Sequence, residues 1–206
     1  MNKLALVGCF SFLCIGTLSA QEVSRFSFDL GAGFTSPVGN TSNYLGEAWN
    51  IQGGVGLNLT SHIGAMLQVD YNSFGINSVA LNNAGYPGGD IHAFSATIDP
   101  IYHFNPKGHI DPYVIGGGGL YHWYQQLSAP APGAVITPFN GGSFPLVEPS
   151  TGDEYSVNKP GFNVGAGVAL GTKWHGKVFA EARYVHIFLN NGQRADYVPA
   201  TFGFRW

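Results

Sequence analysis

The residues best placed to do chemistry are few, and they share a pattern. Asp29, Asp70, Asp99 and Glu181 each sit in a stretch where polar and apolar residues alternate, and each falls on the polar side of its stretch. Arg183 follows Glu181 on the same side, and Arg205 lies next to the last residue. Acids at similar depth on several strands, with an arginine among them, could do three things. They could form an enclosed ion-pair network, whose charges must be paired or hydrated. Their excess over Arg183 could line a narrow path preferring cations. Two of them could act as a catalytic acid pair. We carry forward the network, built from Asp29, Asp70, Asp99, Glu181 and Arg183.

Other chemistry finds less support. His62, His103, His109, His122 and His175 fall in or near turns, rims or the polar face. None has the spacing of a metal site. The run "GGGG", Gly116 to Gly119, lacks the Lys-Ser/Thr of a phosphate loop. It fits a strand that curves or meets another backbone closely. No cofactor and no metal are expected. The net charge of -3 gives no basic footprint for nucleic acid.

The elements that must position the acids are strands. Period-2 alternation recurs in eight segments. In "RFSFDLGAGFT", Phe26, Phe28, Leu30, Ala32 and Phe34 oppose Ser27, Asp29, Gly31 and Gly33. "WNIQGGVGLNLT", "AMLQVDYN", "AFSATIDPIYHF", "FNVGAGVALG", "VFAEARYVHIF" and "DYVPATFGFRW" read the same way. The fifth segment, "PYVIGGGGLYHWY", is the least clear. Tyr113, Ile115, Tyr121 and Trp123 share one parity there, with Val114, Leu120 and His122 on the other. The turns "SHIG", "NPKGHID" and "TKWHGK" are short, whereas the connections near 36–48, 73–91, 126–160 and 189–195 are longer. Short turns therefore gather at one end of the sheet and long loops at the other.

Composition bounds the rest. The chain has 206 residues, 10% of them charged and 30 of them glycine, which suits one domain with little exposed charge. "MNKLALVGCFSFLCIGTLSA" reads as a leader over residues 1–20, cleaved near Ala20. Both cysteines, Cys9 and Cys14, lie inside it. Beyond it, no run of 18 apolar residues could form a membrane helix.

Alternation alone leaves the direction of the faces open, because a soluble barrel of lipocalin type also alternates, with apolar residues inside. Three features favour an apolar outside, one of them the aromatic stripe of the chain end "TFGFRW". Carboxylates and amides fill the middle of the polar face, where a soluble exterior would carry more Lys and Glu. Aromatic residues also gather near both ends of the apolar face, as girdles at the two membrane interfaces. We place Phe34, Trp49, Tyr71, Tyr121 and Trp123 at the loop end, and Phe26, Tyr102, Phe104, Tyr113 and Trp206 at the turn end.

With its exported start, "PYVIGGGG", "EARYVHIF" and the terminal "TFGFRW", the mature chain resembles the OmpA/OmpX-like outer-membrane barrels of Gram-negative bacteria. The resemblance implies an all-β fold over residues 21–206, an eight-stranded antiparallel transmembrane β-barrel with short periplasmic turns and long extracellular loops. It implies a monomer surrounded by outer-membrane lipids. Phe202, Phe204 and Trp206 would be read by the barrel-insertion machinery and would also form part of the lower girdle. The expected role is structural or surface-interacting, in adhesion or envelope integrity, around a lumen plugged by polar side chains. Loop 126–160, rich in Pro, Gly and Ser, is the candidate for a surface ligand. A small passive channel is the alternative.

A narrower likeness concerns "RYVHIFLNN". It is similar to the segment of outer-membrane lipid A deacylases that carries a His and, two residues on, a nucleophilic Ser. His186 matches the His, but Phe188 stands in place of the Ser. Without a hydroxyl there is no acyl acceptor, so the protein is expected not to be an enzyme.

Overall fold

The computed structural model describes residues 25–84, 86–128, 155–172 and 176–206. The leader expected at 1–20 lies outside them, as does most of the loop expected at 126–160. Eight strands carry the fold: β1 (Phe26–Pro37), β2 (Leu45–Asn58), β3 (Ile63–Ile76), β4 (Gly89–His103), β5 (Ile110–Leu127), β6 (Tyr155–Gly171), β7 (Lys177–Phe188) and β8 (Arg194–Arg205). Each pairs antiparallel with the next, and β8 closes on β1 with Asp29 opposite Arg205, so the sheet is a closed barrel without a free edge. Strands alternating polar and apolar have two faces to satisfy, and closure gives them one inside and one outside.

The outer wall is apolar. Phe26, Phe28, Leu30, Phe34, Ile51, Val55, Leu67, Ile98, Val164 and Phe202 are all exposed on it. Among the described residues no helix is long and apolar enough to cross a membrane. Antiparallel order brings the C-terminal ends of β2, β4 and β6 to one end of the barrel and those of β1, β3, β5 and β7 to the other. The connection between β3 and β4 is not plain loop, since it holds a short helix, α1 (Ser78–Ala84). Strands β2 and β3 also reach further toward the loop end than the alternation alone suggests, from Leu45 and to Ile76.

The fifth strand corrects the expected girdles. Tyr113, Ile115, Tyr121 and Trp123 are buried inside the barrel, while Val114 and Leu120 face outward. The register explains this. Across from β5, β6 carries glycine where the aromatic rings need space. A Cβ at Gly167 would lie 2.5 Å from Tyr113 Cζ, and one at Gly161 would lie 2.7 Å from Tyr121 Cε2. The loop-end girdle keeps Phe34, Trp49 and Tyr71 and gains His92 and Tyr124. The His92 ring stacks between Tyr71 and Tyr124 at 5.8 and 5.9 Å. The "GGGG" run meets its neighbour closely. A Cβ at Gly117 or Gly119 would collide with the carbonyl oxygen of Ile98 or Ala96.

The lumen is filled in layers. At the loop end an apolar cluster packs Phe74, Ile91, Trp123, Ile187 and Tyr197, with Leu81 of α1 and Tyr86 folded down onto it. Phe74 lies edge-on to Tyr197 at 5.3 Å and 6.2 Å from Trp123. At the turn end a smaller cluster holds Met66, Ile101, Tyr113, Ile115, Ala169 and Phe179. The charge layer around Arg183 lies between the two. The polar plug expected in the lumen is thus joined by apolar layers, in which Tyr121 and Trp123 of β5 turn inward at the loop end and Tyr113 at the turn end.

Candidate functional site

Arg183 stands at the centre of the polar layer. It leaves β7 on the lumen face, and Gly165 opposite it on β6 leaves room for its chain: a Cβ there would meet Arg183 Cγ at 2.7 Å. Its Nε donates to Glu181 Oε1 at 2.5 Å, and its Nη1 donates to Asp99 Oδ2 at 2.8 Å and to Asn163 Oδ1 at 3.3 Å. Its Nη2 donates to Gln68 Oε1. Asp99 also accepts from Asn163 Nδ2 and Thr97 Oγ1, both at 2.8 Å. One guanidinium therefore joins β3, β4, β6 and β7. These groups are almost wholly buried, so each charge depends on its partner.

Arg205, noted in the sequence only as lying next to the last residue, forms a second centre. Its Nη2 donates to Asp29 Oδ2 at 2.9 Å, and it stands 4.0 Å from Glu181 Oε2. The guanidinium lies between the rings of Tyr113 and Phe179, 4.9 and 5.0 Å from their centroids, where the ring faces attract a cation. Gln68 Nε2 donates to Asp29 at 3.3 Å and so links the two arginine centres.

Asp70 stands apart. Ser95 Oγ donates to its Oδ2 at 3.4 Å, and it shares a cavity of about 10 Å³ with Asn72, Asn163, Tyr121 and Arg183. That is close to the space of a single water. Of the expected set, Asp99, Glu181 and Arg183 are in direct contact, Asp29 joins through Arg205 and Gln68, and Asp70 faces Arg183 without an ion pair. Phe202 and Trp206 are exposed on the outer wall, and Phe204 is half-buried beside Trp206, their rings 5.7 Å apart.

Two further groups were not foreseen. At the turn-end mouth, Asp111 accepts from Lys177 Nζ at 2.7 Å, with His103 Nδ1 at 2.8 Å. They border an open vestibule of about 470 Å³. On the outer wall near the loop end, Asp196 receives Tyr184 Oη at 2.6 Å and Arg194 Nε at 3.2 Å, and it lies 2.6 Å from His186 Nδ1. The β7–β8 register sets His186 directly beside Asp196. His186 therefore has a carboxylate partner, but Phe188, its ring 4.6 Å away, supplies no hydroxyl.

A closed antiparallel barrel with an apolar outer wall and its charge layer inside is the architecture of a membrane-spanning β-barrel. The chain belongs to the outer membrane protein beta-barrel domain family, whose model matches residues 5–206. No curated protein matches the sequence. Among solved structures it is similar to Neisserial surface protein A, with 16% identity and a TM-score of 0.59, over 88% of this chain and 96% of that one. It is also similar to a major outer membrane protein of Thermus thermophilus, with 10% identity and a TM-score of 0.56, over 89% and 99% of the two chains. The attachment invasion locus protein Ail of Yersinia pestis, solved with the heparin analogue sucrose octasulfate, shares 13% identity with a TM-score of 0.50, over 89% and 100%. At these identities the likeness shows the shared fold.

Proposed function

We propose that the protein is a sealed scaffold of the outer membrane. Its role is to strengthen the envelope and present surface loops for interaction. The observation that carries this reading is the layered lumen. An apolar cluster around Phe74, Trp123 and Tyr197 covers a layer in which Arg183 and Arg205 bind carboxylates across the barrel. Such an interior supports rigidity and opposes passage of hydrated solutes. Loop 126–160, between β5 and β6, is the surface element assigned to a partner. The likeness to Ail extends to the scaffold and not to its sulfated ligand, because 126–160 contains one lysine, Lys159, against Glu148, Asp153 and Glu154.

The leader at 1–20 and the reading of Phe202, Phe204 and Trp206 by the insertion machinery belong to the same proposal. The exposed aromatic stripe that ends β8 supports the latter. A small channel is the second reading, motivated by an excess of acids: Asp29, Asp70, Asp99 and Glu181 against Arg183 and Arg205 in the polar layer.

The test is a deletion strain complemented with the full protein or with a variant whose 129–154 is replaced by a short Gly-Ser turn. The scaffold reading expects the full protein to restore detergent resistance and cell aggregation. It expects the shortened one to restore only resistance. A strain that loses neither property but takes up small solutes more slowly would favour the channel.

A further inference from the structure

The outer-wall cluster at the end of β7 and β8 is used by neither the lumen nor the loops. It stands at a definite height. Trp206 lies ten residue steps beyond Asp196, just past the end of β8, about 33 Å along a strand. At the 35–45° tilt of such barrels this is roughly 25 Å of height, the thickness of their apolar band. The outward residues between them are Phe204, Phe202, Ala200 and Val198, all apolar. If Trp206 marks the lower boundary, Asp196 marks the upper one, where lipid headgroups begin.

The polar groups there surround an enclosed acid: of its charged partners Arg194 is exposed, whereas the His186 side chain is 14% exposed. The Asp196 side chain is only 7% exposed and is occupied by Tyr184, His186 and Arg194. Arg194 is 55% exposed and meets Asp196 through Nε, a contact that does not use its two terminal nitrogens. His186 Nδ1 donates to Asp196, which turns Nε2 away from the carboxylate, and Nε2 donates in turn only when both ring nitrogens carry a proton. Phe162 and Phe188 flank the imidazole at 5.1 and 4.6 Å, on the same wall. A planar fork of donors above aromatic rings, at the boundary of the apolar band, matches a phosphate attached to acyl chains. A carboxylate that fixes both donors from behind pre-organises them for an anion without meeting it.

We infer that Arg194, joined by His186 in its doubly protonated imidazolium form, binds the phosphate of an outer-leaflet lipid headgroup, with Phe162 and Phe188 against the first carbons of its chains. Asp196 and Tyr184 position the two donors. The site holds the lipid and does not cleave it, since position 188 offers no nucleophile.

The test uses the full mature barrel refolded in detergent, with bound lipid counted by native mass spectrometry. The probes are lipid A carrying its phosphates, dephosphorylated lipid A, and inorganic phosphate. Wild type should prefer the phosphorylated lipid, and inorganic phosphate should not displace it. Arg194→Gln should weaken that binding about tenfold, the loss of one charge-assisted contact, and should leave the dephosphorylated lipid unaffected. Lys107→Gln, at the opposite rim, should change nothing. Folding of each variant is read from the mobility of unboiled samples. If Arg194→Gln does not fold, His186→Gln carries the same comparison. Equal binding of the two lipids, an unchanged Arg194→Gln, displacement by inorganic phosphate, or an equal loss with Lys107→Gln would each overturn the assignment.

Discussion

Arg183 Nη1 on β7 lies 2.8 Å from Asp99 Oδ2 on β4, although the two strands are not neighbours in the sheet. The contact crosses the lumen and ties opposite walls together. With Glu181, Gln68 and Asn163 on the same guanidinium, it makes the middle of the barrel a cross-brace that backbone pairing alone does not supply.

Removing Arg183 should therefore cost more than an ordinary surface charge. Arg183→Ala would leave Asp99 and Glu181 buried without their cation, a loss of roughly 3–5 kcal/mol. Urea unfolding in detergent should show the midpoint falling accordingly. Arg183→Ala combined with Asp99→Asn and Glu181→Gln should recover part of the loss. A midpoint unchanged by Arg183→Ala would mean the brace carries no stability.

The inward turn of β5 gives an optical prediction. Trp49 and Trp206 are each 53% exposed on the outer wall, while Trp123 is 0% exposed inside. In single-tryptophan variants reconstituted into brominated lipid, Trp49 and Trp206 should be quenched strongly and Trp123 hardly at all. Strong quenching of Trp123 would return β5 to the opposite parity.

Loop composition sets the site of cleavage in cells. The stretch from Gln126 to Pro160 is long and rich in Pro, Gly and Ser, the kind of segment proteases reach first. Protease added to intact cells should cut there and spare "NPKGHID". Cleavage in "NPKGHID" on intact cells would reverse the orientation.

The final residue has two separable roles. Packing at the lower boundary is worth roughly 1.5–3 kcal/mol for a large apolar side chain, a loss a closed barrel should survive in detergent. Recognition during assembly is needed only in the cell. Trp206→Lys should thus lower outer-membrane yield far more than it lowers the refolded fraction of purified protein. Equal losses in the two assays would leave Trp206 as a packing residue only.

The strands were readable because one face of each is plainly apolar: Phe26, Phe28 and Leu30 against Ser27 and Asp29 need no partner to be sorted. β5 was not, because Tyr113 and Trp123 on one side and Val114 and Leu120 on the other are all apolar. What sorts them is the glycine across the register, Gly161 and Gly167, which a single strand does not reveal. The Arg183 network could be read from parity and depth within the chain. Arg205 was read only as a residue near the chain end, and its partner Asp29 becomes visible only when β8 closes on β1. Asp196 carried the polar signal of a loop edge. Its contact with His186 depends on the β7–β8 pairing, and its turn away from the lumen on the parity of Phe202 and Phe204 further down the same strand.

The central claim is that the lumen is sealed, and ion conductance tests it most directly. Refolded mature protein in a planar bilayer should give no stable single-channel steps, because the cluster around Phe74, Trp123 and Tyr197 covers the charge layer. Reproducible, cation-selective steps that disappear in Asp70→Asn would contradict it and establish the acid-lined path instead.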